Sequence, residues 1–205
     1  MRQKVASFSD VVTDTRKIKG GELFVALSGE RFDGADFAAD AVAKGAAGVL
    51  AAAGCPEEKL PERGTILVAD DTLAAYQGIA HAWRMKFHIP VVAITGSNGK
   101  TTTKDLTAAA LSALGPVQKT QANFNNEIGL PLTLLGIEGK HSAAVVEMGM
   151  RGLGQIQALA KVAAPTVGIV TNVGETHMEL LGSIERIAQA KGELAEAIPA
   201  GGASS

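Results

Sequence analysis

The uninterrupted apolar run Val91-Val92-Ala93-Ile94 leads straight into Thr95-Gly96-Ser97-Asn98-Gly99-Lys100-Thr101-Thr102, and then into a stretch with Leu106, Ala110, Ala113 and Leu114 at helical spacing. A run with no polar alternation reads as a strand covered on both faces, and a strand that turns through glycines into a helix belongs to an α/β protein with a parallel sheet. The same residues supply a chemistry. Glycines let main-chain N–H groups converge on phosphate oxygens, the helix N-terminus adds a positive dipole end, Lys100 brings a point charge, and the Thr101 hydroxyl can ligate Mg2+. Gly96, Ser97, Asn98, Gly99, Lys100, Thr101 and Thr102 are therefore the candidate phosphate-binding residues. The longer form of such a loop has a glycine where Ile94 stands, so this is a shortened Gly-x-x-Gly-Lys-Thr variant. The rival reading is a helix-entry turn with an incidental lysine; the strand before and the helix after favour phosphate.

The pattern continues downstream. Ala143-Ala144-Val145-Val146 and Val167-Gly168-Ile169-Val170 read as further buried strands, with a helix at about Gln155 to Ala163 between them. Glu147 follows the first of these strands directly, at the edge where open parallel sheets bind ligands, and a hard carboxylate beside phosphates suits Mg2+. Thr171-Asn172 ends the second strand, and the loop after it brings His177 to the same edge, as a metal or phosphate ligand. A helix from about Ser183 to Ile198 carries Ile184, Ile187, Ala188, Leu194, Ala195 and Ile198 on one stripe, and Lys191 falls on it too. Such a lysine either snorkels to water or faces the nucleotide and metal site. The amide-rich run Thr120 to Pro131, with Asn123, Asn125 and Asn126, can donate to phosphate and accept from amines, or is a turn-rich surface connection.

Upstream, Leu23 to Leu27, Gly48 to Ala52 and Ile66 to Ala69 read as short strands. They alternate with a helical pattern through Phe37, Ala38, Ala41 and Val42, and with a helix from Leu73 to Arg84 entered through Asp70-Asp71-Thr72. Gly29-Glu30-Arg31-Phe32-Asp33-Gly34 reads as a polar loop. The boundary is placed in Met85 to Pro90, giving a small α/β domain over residues 1–85 and a second over 86–205. Composition agrees: glycine is frequent (24) and aromatics are 4%, a mix suited to close-packed helices and glycine turns. The formal charge of −2 argues against bulk nucleic-acid binding. Cys55 is the single cysteine, which rules out an intrachain disulfide and a thiolate zinc site. No run approaches the roughly 18 apolar residues of a membrane span, and the first residues lack the apolar core of a signal peptide. The cytoplasm is the expected compartment.

Taken together, Thr95 to Thr102, Asn123-Phe-Asn-Asn-Glu-Ile-Gly-Leu-Pro131, Glu147-Met-Gly149, Thr171-Asn172 with His177, and Ala190-Lys-Gly-Glu193 resemble the Mur ligases in content and order. The Asn123 to Pro131 run and Glu147-Met-Gly149 point to the branch that adds D-alanyl-D-alanine rather than the one that adds the third residue. Asp14-Thr15-Arg16, Gly21 to Ala26 and Gly29 to Gly34 resemble that family's domain for the UDP end of the substrate.

The resemblance implies an ATP- and Mg2+-dependent amide ligase of peptidoglycan precursor synthesis. It would phosphorylate the terminal carboxylate of UDP-N-acetylmuramoyl-tripeptide to an acyl phosphate, which the amine of D-alanyl-D-alanine then attacks. By the same resemblance the phosphate loop and Asn123 hold ATP, Thr101 and Glu147 serve one Mg2+, and His177 serves a second. Lys191 matches a lysine that becomes carbamylated beside the metal, and Lys100, His177 and Lys191 are the catalytic set. Thr15, Arg16, Gly29, Glu30, Arg31, Asp33, Asn125 and Asn126 contact the substrate. Family members are more than twice as long, so the chain is expected to be an N-terminal fragment with an incomplete ATPase domain. Such a fragment is expected to be inactive alone and, through exposed apolar surface, to self-associate, the full-length protein being a monomer. The alternatives are another ligase of the superfamily, against which the Asn123 to Pro131 run counts, and a non-catalytic nucleotide-binding module, which nucleotide-dependent turnover would separate.

Overall fold

A computed structural model describes residues 7–29, 32–176 and 178–200. In chain order the elements are β1 (Val11–Val12), β2 (Leu23–Val25), β3 (Ser28–Gly29), β4 (Phe32–Asp33), α1 (Ala38–Ala43), β5 (Gly48–Ala52), β6 (Thr65–Ala69) and α2 (Thr72–Arg84). Next come β7 (Val91–Thr95), α3 (Lys100–Leu111), β8 (Val117–Lys119), α4 (Gly129–Leu135), β9 (Ala143–Glu147), α5 (Gln155–Ala163), β10 (Val167–Val170), α6 (Met178–Leu181) and α7 (Ile184–Ala197). The chain divides into two compact units between Tyr76 and Gln77, inside α2, which is earlier than the turn-rich Met85 to Pro90 segment suggests. Proline and loop composition mark where a helix ends, and here the helix itself runs across the division.

In the first unit β1, β2, β5 and β6 form a parallel sheet in the order β1-β2-β5-β6. Phe24, Val49 and Ala51 from the strands, with Ala26 just past β2, meet Ala38 and Ala41 of α1 in the core of this unit. The segment read as a polar loop contains the antiparallel pair β3–β4, in which Ser28 lies opposite Asp33 and Gly29 opposite Phe32. Cys55 sits half-buried against the edge of the core.

The second unit is a four-stranded parallel sheet in the order β10-β7-β9-β8, with helices on both faces. Strand alternation sorts the side chains. Val91 and Ala93 of β7, with Ala144 and Val146 of β9, face the core built by α4, α5 and α7. Val92, Ile94 and Val145 face α3. The connection after β7 runs to the β8 side of the sheet and the one after β9 crosses to β10 on the other side of β7, so a crevice opens at its carboxyl end. The amide-rich run does not remain a loop to Pro131. Asn126 Oδ1 accepts from the N–H groups of Ile128 (3.3 Å) and Gly129 (2.9 Å), and Gly129-Leu130-Pro131 form the first turn of α4, where proline is tolerated.

Candidate functional site

At the carboxyl end of β7 the chain turns through Gly96 (φ +148°) and Gly99 (φ +79°), both in the left-handed region that favours glycine. A Cβ on Gly96 would overlap the Thr171 hydroxyl. That crowding follows from a clasp between this loop and the segment after β10. Ser97 N donates to Asn172 O (3.1 Å) and Asn98 N to Asn172 Oδ1 (2.9 Å). Thr171 Oγ1 donates to Asn98 O (2.6 Å), and Gly174 N donates to Ser97 Oγ (2.8 Å). No side chain caps the N-terminus of α3, so its first turn keeps its positive end toward the crevice. Lys100 Nζ folds back onto Gly96 O (2.8 Å) and Ser97 O (3.4 Å).

Glu147 ends β9 on the α3 face and is buried. Its Oε2 accepts from Thr101 Oγ1 (3.0 Å), its Oε1 from Asn125 Nδ2 (2.9 Å), and its own N–H donates to Thr120 Oγ1 (3.0 Å). A buried carboxylate held by two neutral donors, with no cation bonded to it among the described residues, keeps capacity for a metal. Asn123, Asn125 and Asn126 all line the crevice, a cleft of about 590 Å³, together with Lys100, Arg151 and Lys191. Lys191 is fully buried on the apolar stripe of α7 and makes no hydrogen bond or ion pair among the described residues. Burial, with the positive charge of Lys100 adding to it, pushes its ammonium down to about 8. Two residues on, Glu193 accepts from Gly154 N (2.6 Å) and Gln157 N (3.0 Å), tying α7 to the start of α5. The second unit thus gathers the phosphate loop, Asn123, Asn125, Asn126, Glu147 and Lys191 at one sheet edge. His177 lies outside the described residues, as do Glu30 and Arg31.

The first-unit candidates are already engaged with neighbours. Asp14 accepts from Arg16 N (2.9 Å) and from the exposed Arg16 guanidinium (2.7 Å at the closest pair), which holds its carboxyl down at about 2. Thr15 opens the turn that Asp14 caps and accepts from Lys44 Nζ (3.4 Å). Asp33 Oδ2 takes Lys59 Nζ (2.7 Å) while Oδ1 takes Ser28 Oγ (2.9 Å) and Ala35 N (3.0 Å), and this carboxyl too sits at about 2. Gly29 is held in the β3–β4 pair.

Four side chains that build the site fall inside motifs the sequence shows but receive no role of their own from it: Thr95, Thr120, Asn172 and Glu193. Asn172 carried a signal as the residue ending a strand beside the phosphate loop, and Glu193 as part of the Ala190-Lys-Gly-Glu193 run. Thr95 and Thr120 appear only as the first residues of the phosphate loop and of the amide-rich run, because a threonine at a strand end is ordinary.

A parallel sheet whose strand runs through a glycine loop into an uncapped helix, with the neighbouring strand's carboxylate hydrogen-bonded to the threonine after the lysine, defines a phosphate-loop α/β protein. The chain belongs to the Mur ligase family: the Mur ligase middle domain matches residues 94–204, and the Mur ligase family catalytic domain matches residues 7–82. A UDP-N-acetylmuramoyl-tripeptide–D-alanyl-D-alanine ligase from Synechocystis sp. is 52% identical over 91% of this chain, and the relative from Bacillus subtilis with the same name is 47% identical over 90%. The chain spans about 40% of the length of these curated relatives. Among solved structures, MurF from Acinetobacter baumannii matches with a TM-score of 0.87 at 34% identity, covering 94% of this chain and 42% of its own. MurF from Thermotoga maritima in complex with ADP matches with a TM-score of 0.83 at 34% identity, covering 93% and 43%. These structures bear out the expected α/β class with mainly parallel sheets. No helix among the described residues is long and apolar enough to cross a membrane.

Proposed function

We propose that this chain carries the UDP-precursor-binding and ATP-binding portions of a cytoplasmic ligase that joins D-alanyl-D-alanine to UDP-N-acetylmuramoyl-tripeptide. The observation that carries the reading is Glu147, a buried carboxylate bonded to Thr101 directly behind Lys100 at the ligand edge of the sheet. One carboxylate and one hydroxyl are the protein share that Mg2+ takes when it keeps water and substrate phosphates as its remaining ligands. The donor set therefore fits Mg2+, with Thr101 and Glu147 as its ligands, His177 as a ligand of a second Mg2+, and Lys191 as a metal-side residue once carbamylation has turned its amine into an anion. ATP would supply the phosphoryl group that turns the tripeptide's terminal carboxylate into an electrophile, with Mg2+ offsetting the phosphate charge.

The chain's own residues divide the remaining work. Gly96 to Thr102 and Asn123 hold the nucleotide, and Lys100 exchanges the carbonyls of Gly96 and Ser97 for phosphate oxygens. Asn125 orients Glu147 from one side while Thr120 fixes its main chain from the other. Asn125 and Asn126 meet the peptide substrate. The first unit binds the UDP end through Thr15, Arg16, Gly29, Glu30, Arg31 and Asp33, and the second binds ATP.

Calorimetric titration with ADP, in Mg2+ and in EDTA, tests the reading. Tighter binding in Mg2+ for the wild-type chain, with the difference removed in Glu147→Gln, is expected. Binding that ignores Mg2+ in the wild-type chain overturns the metal assignment, and no binding in either buffer overturns the nucleotide site.

A further inference from the structure

We propose that Thr95 is a further ligand-binding residue of the cleft, its hydroxyl donating to an oxyanion seated between the Gly96–Lys100 loop and Lys191. Thr95 is the last residue of β7 and follows Val91 and Ala93 in the alternation that faces α5 and α7, the face from which Lys191 comes. Both residues line the same cleft. Thr95 is 1% exposed, and its Oγ1 is buried with no hydrogen-bond partner among the described residues. Its main-chain oxygen, by contrast, is taken, accepting from Thr171 N (2.9 Å).

An orphaned hydroxyl works against folding, and valine, nearly the same shape, would remove the penalty. The rest of the strand, Val91 to Ile94, shows what a purely structural position there holds. A polar group kept where an apolar one would pack better points to a partner that arrives with the ligand. The lining charges of the unmodified chain say which kind: Lys100, Arg151 and the free ammonium of Lys191 stand against the single carboxylate of Glu127. Such a cleft concentrates anions, and a hydroxyl donating to an ionised oxygen makes a stronger bond than one donating to a neutral acceptor. Two oxyanions qualify, a phosphate oxygen of the nucleotide and the carboxylate of the peptide substrate. This inference rests on the nucleotide reading above.

The test titrates Mg-ATP, Mg-ADP and UDP-N-acetylmuramoyl-tripeptide into the wild-type chain, Thr95→Val and Thr95→Ser, and melts each ligand-free protein. Ligand-free Thr95→Val should melt at or above the wild-type temperature while losing affinity by about tenfold or more, and Thr95→Ser should keep it within about threefold. Loss for ATP, with or without ADP, assigns the oxyanion to the nucleotide phosphates; loss confined to the UDP-tripeptide assigns it to the carboxylate. Thr95→Val that binds all three ligands as the wild type does, or that melts below it ligand-free, overturns the inference. A wild-type chain that binds none of them overturns the nucleotide reading first, and the oxyanion site with it.

Discussion

The first unit and the cleft of the second treat their polar side chains in opposite ways. In the first, charges close on one another: Asp14 on Arg16, Asp40 on Lys44, Asp33 and Asp36 on Lys59. Even the buried Glu22 is satisfied, accepting from Lys19 N (2.7 Å) and Gly20 N (2.9 Å) to pin the glycine turn into β2. In the cleft of the second unit, Thr95 and Lys191 are buried without partners among the described residues, and Glu147 meets neutral donors. A satisfied polar group reads as architecture. A buried unsatisfied one is a cost the fold retains, and here such groups collect at one sheet edge.

The largest expected effect tests whether satisfaction, rather than location in a unit, is what separates the two kinds of residue. Arg84 in the second unit is a buried charge with its needs met, donating to Phe87 O (2.8 Å) and, at the end of α5, to Ala163 O (3.1 Å) and Ala164 O (3.1 Å). Arg84→Ala leaves those carbonyls unpaired and should cost about 3 kcal/mol in urea unfolding. A loss well under about 1 kcal/mol would break the comparison. Lys100→Ala should do the reverse. Its ammonium sits on two loop carbonyls that water can replace, so stability should hold while Mg-ATP affinity falls by about thirtyfold or more, read by calorimetry.

Lys191 sharpens the comparison, because its sign is opposite to that of Arg84. With its ammonium at about 8, below the usual lysine range, the folded chain is destabilised whenever the amine must be charged. Lys191→Met should therefore stabilise the ligand-free chain at pH 7 by about 1–2 kcal/mol after allowance for solvent screening. The advantage should shrink as pH rises from about 8 and vanish above the unfolded-state value near 10.4. Urea midpoints at pH 7 and pH 10.5 measure both. A variant less stable than the wild type at pH 7 would show that Lys191 has a partner in the folded chain.

What the sequence made legible follows the same division. The phosphate loop, Glu147 at a strand end and Lys191 on an apolar stripe are local patterns, readable from periodicity and punctuation within a few residues. α4 escaped because it starts inside the amide-rich run, where the Asn126 side chain accepts from Gly129 N at the helix start instead of closing one more turn. β8 is three half-buried residues, too short for alternation to register. The side chains that hold the site in place were the hardest to see. Thr120 meets Glu147 across 27 residues of sequence and Asn172 meets Asn98 across 74, and no local pattern encodes a contact at that separation. The same holds for Thr95, whose meaning lies in a partner it lacks.

The smallest effect belongs to the first unit, where the charges are already paired. Lys59, with Ser28 and Ala35, holds the Asp33 carboxyl at about 2, below the ordinary aspartate value of 3.8. A lowered folded-state value means stability that is fully present above about pH 4 and is lost as pH falls through about 2. Asp33→Asn removes the charge and should lower the urea midpoint slightly at pH 5, with the gap to the wild type closing as both approach pH 2. Because Asp33 also caps the turn after β4 through Ala35 N, the asparagine keeps one acceptor there, and what remains is the ion pair with Lys59. That pair is partly exposed, so added salt should close the same gap at pH 5. A gap that survives both acid and salt would mean that Asp33 works through its hydrogen bonds alone, and the first unit would then owe its order to geometry rather than to charge.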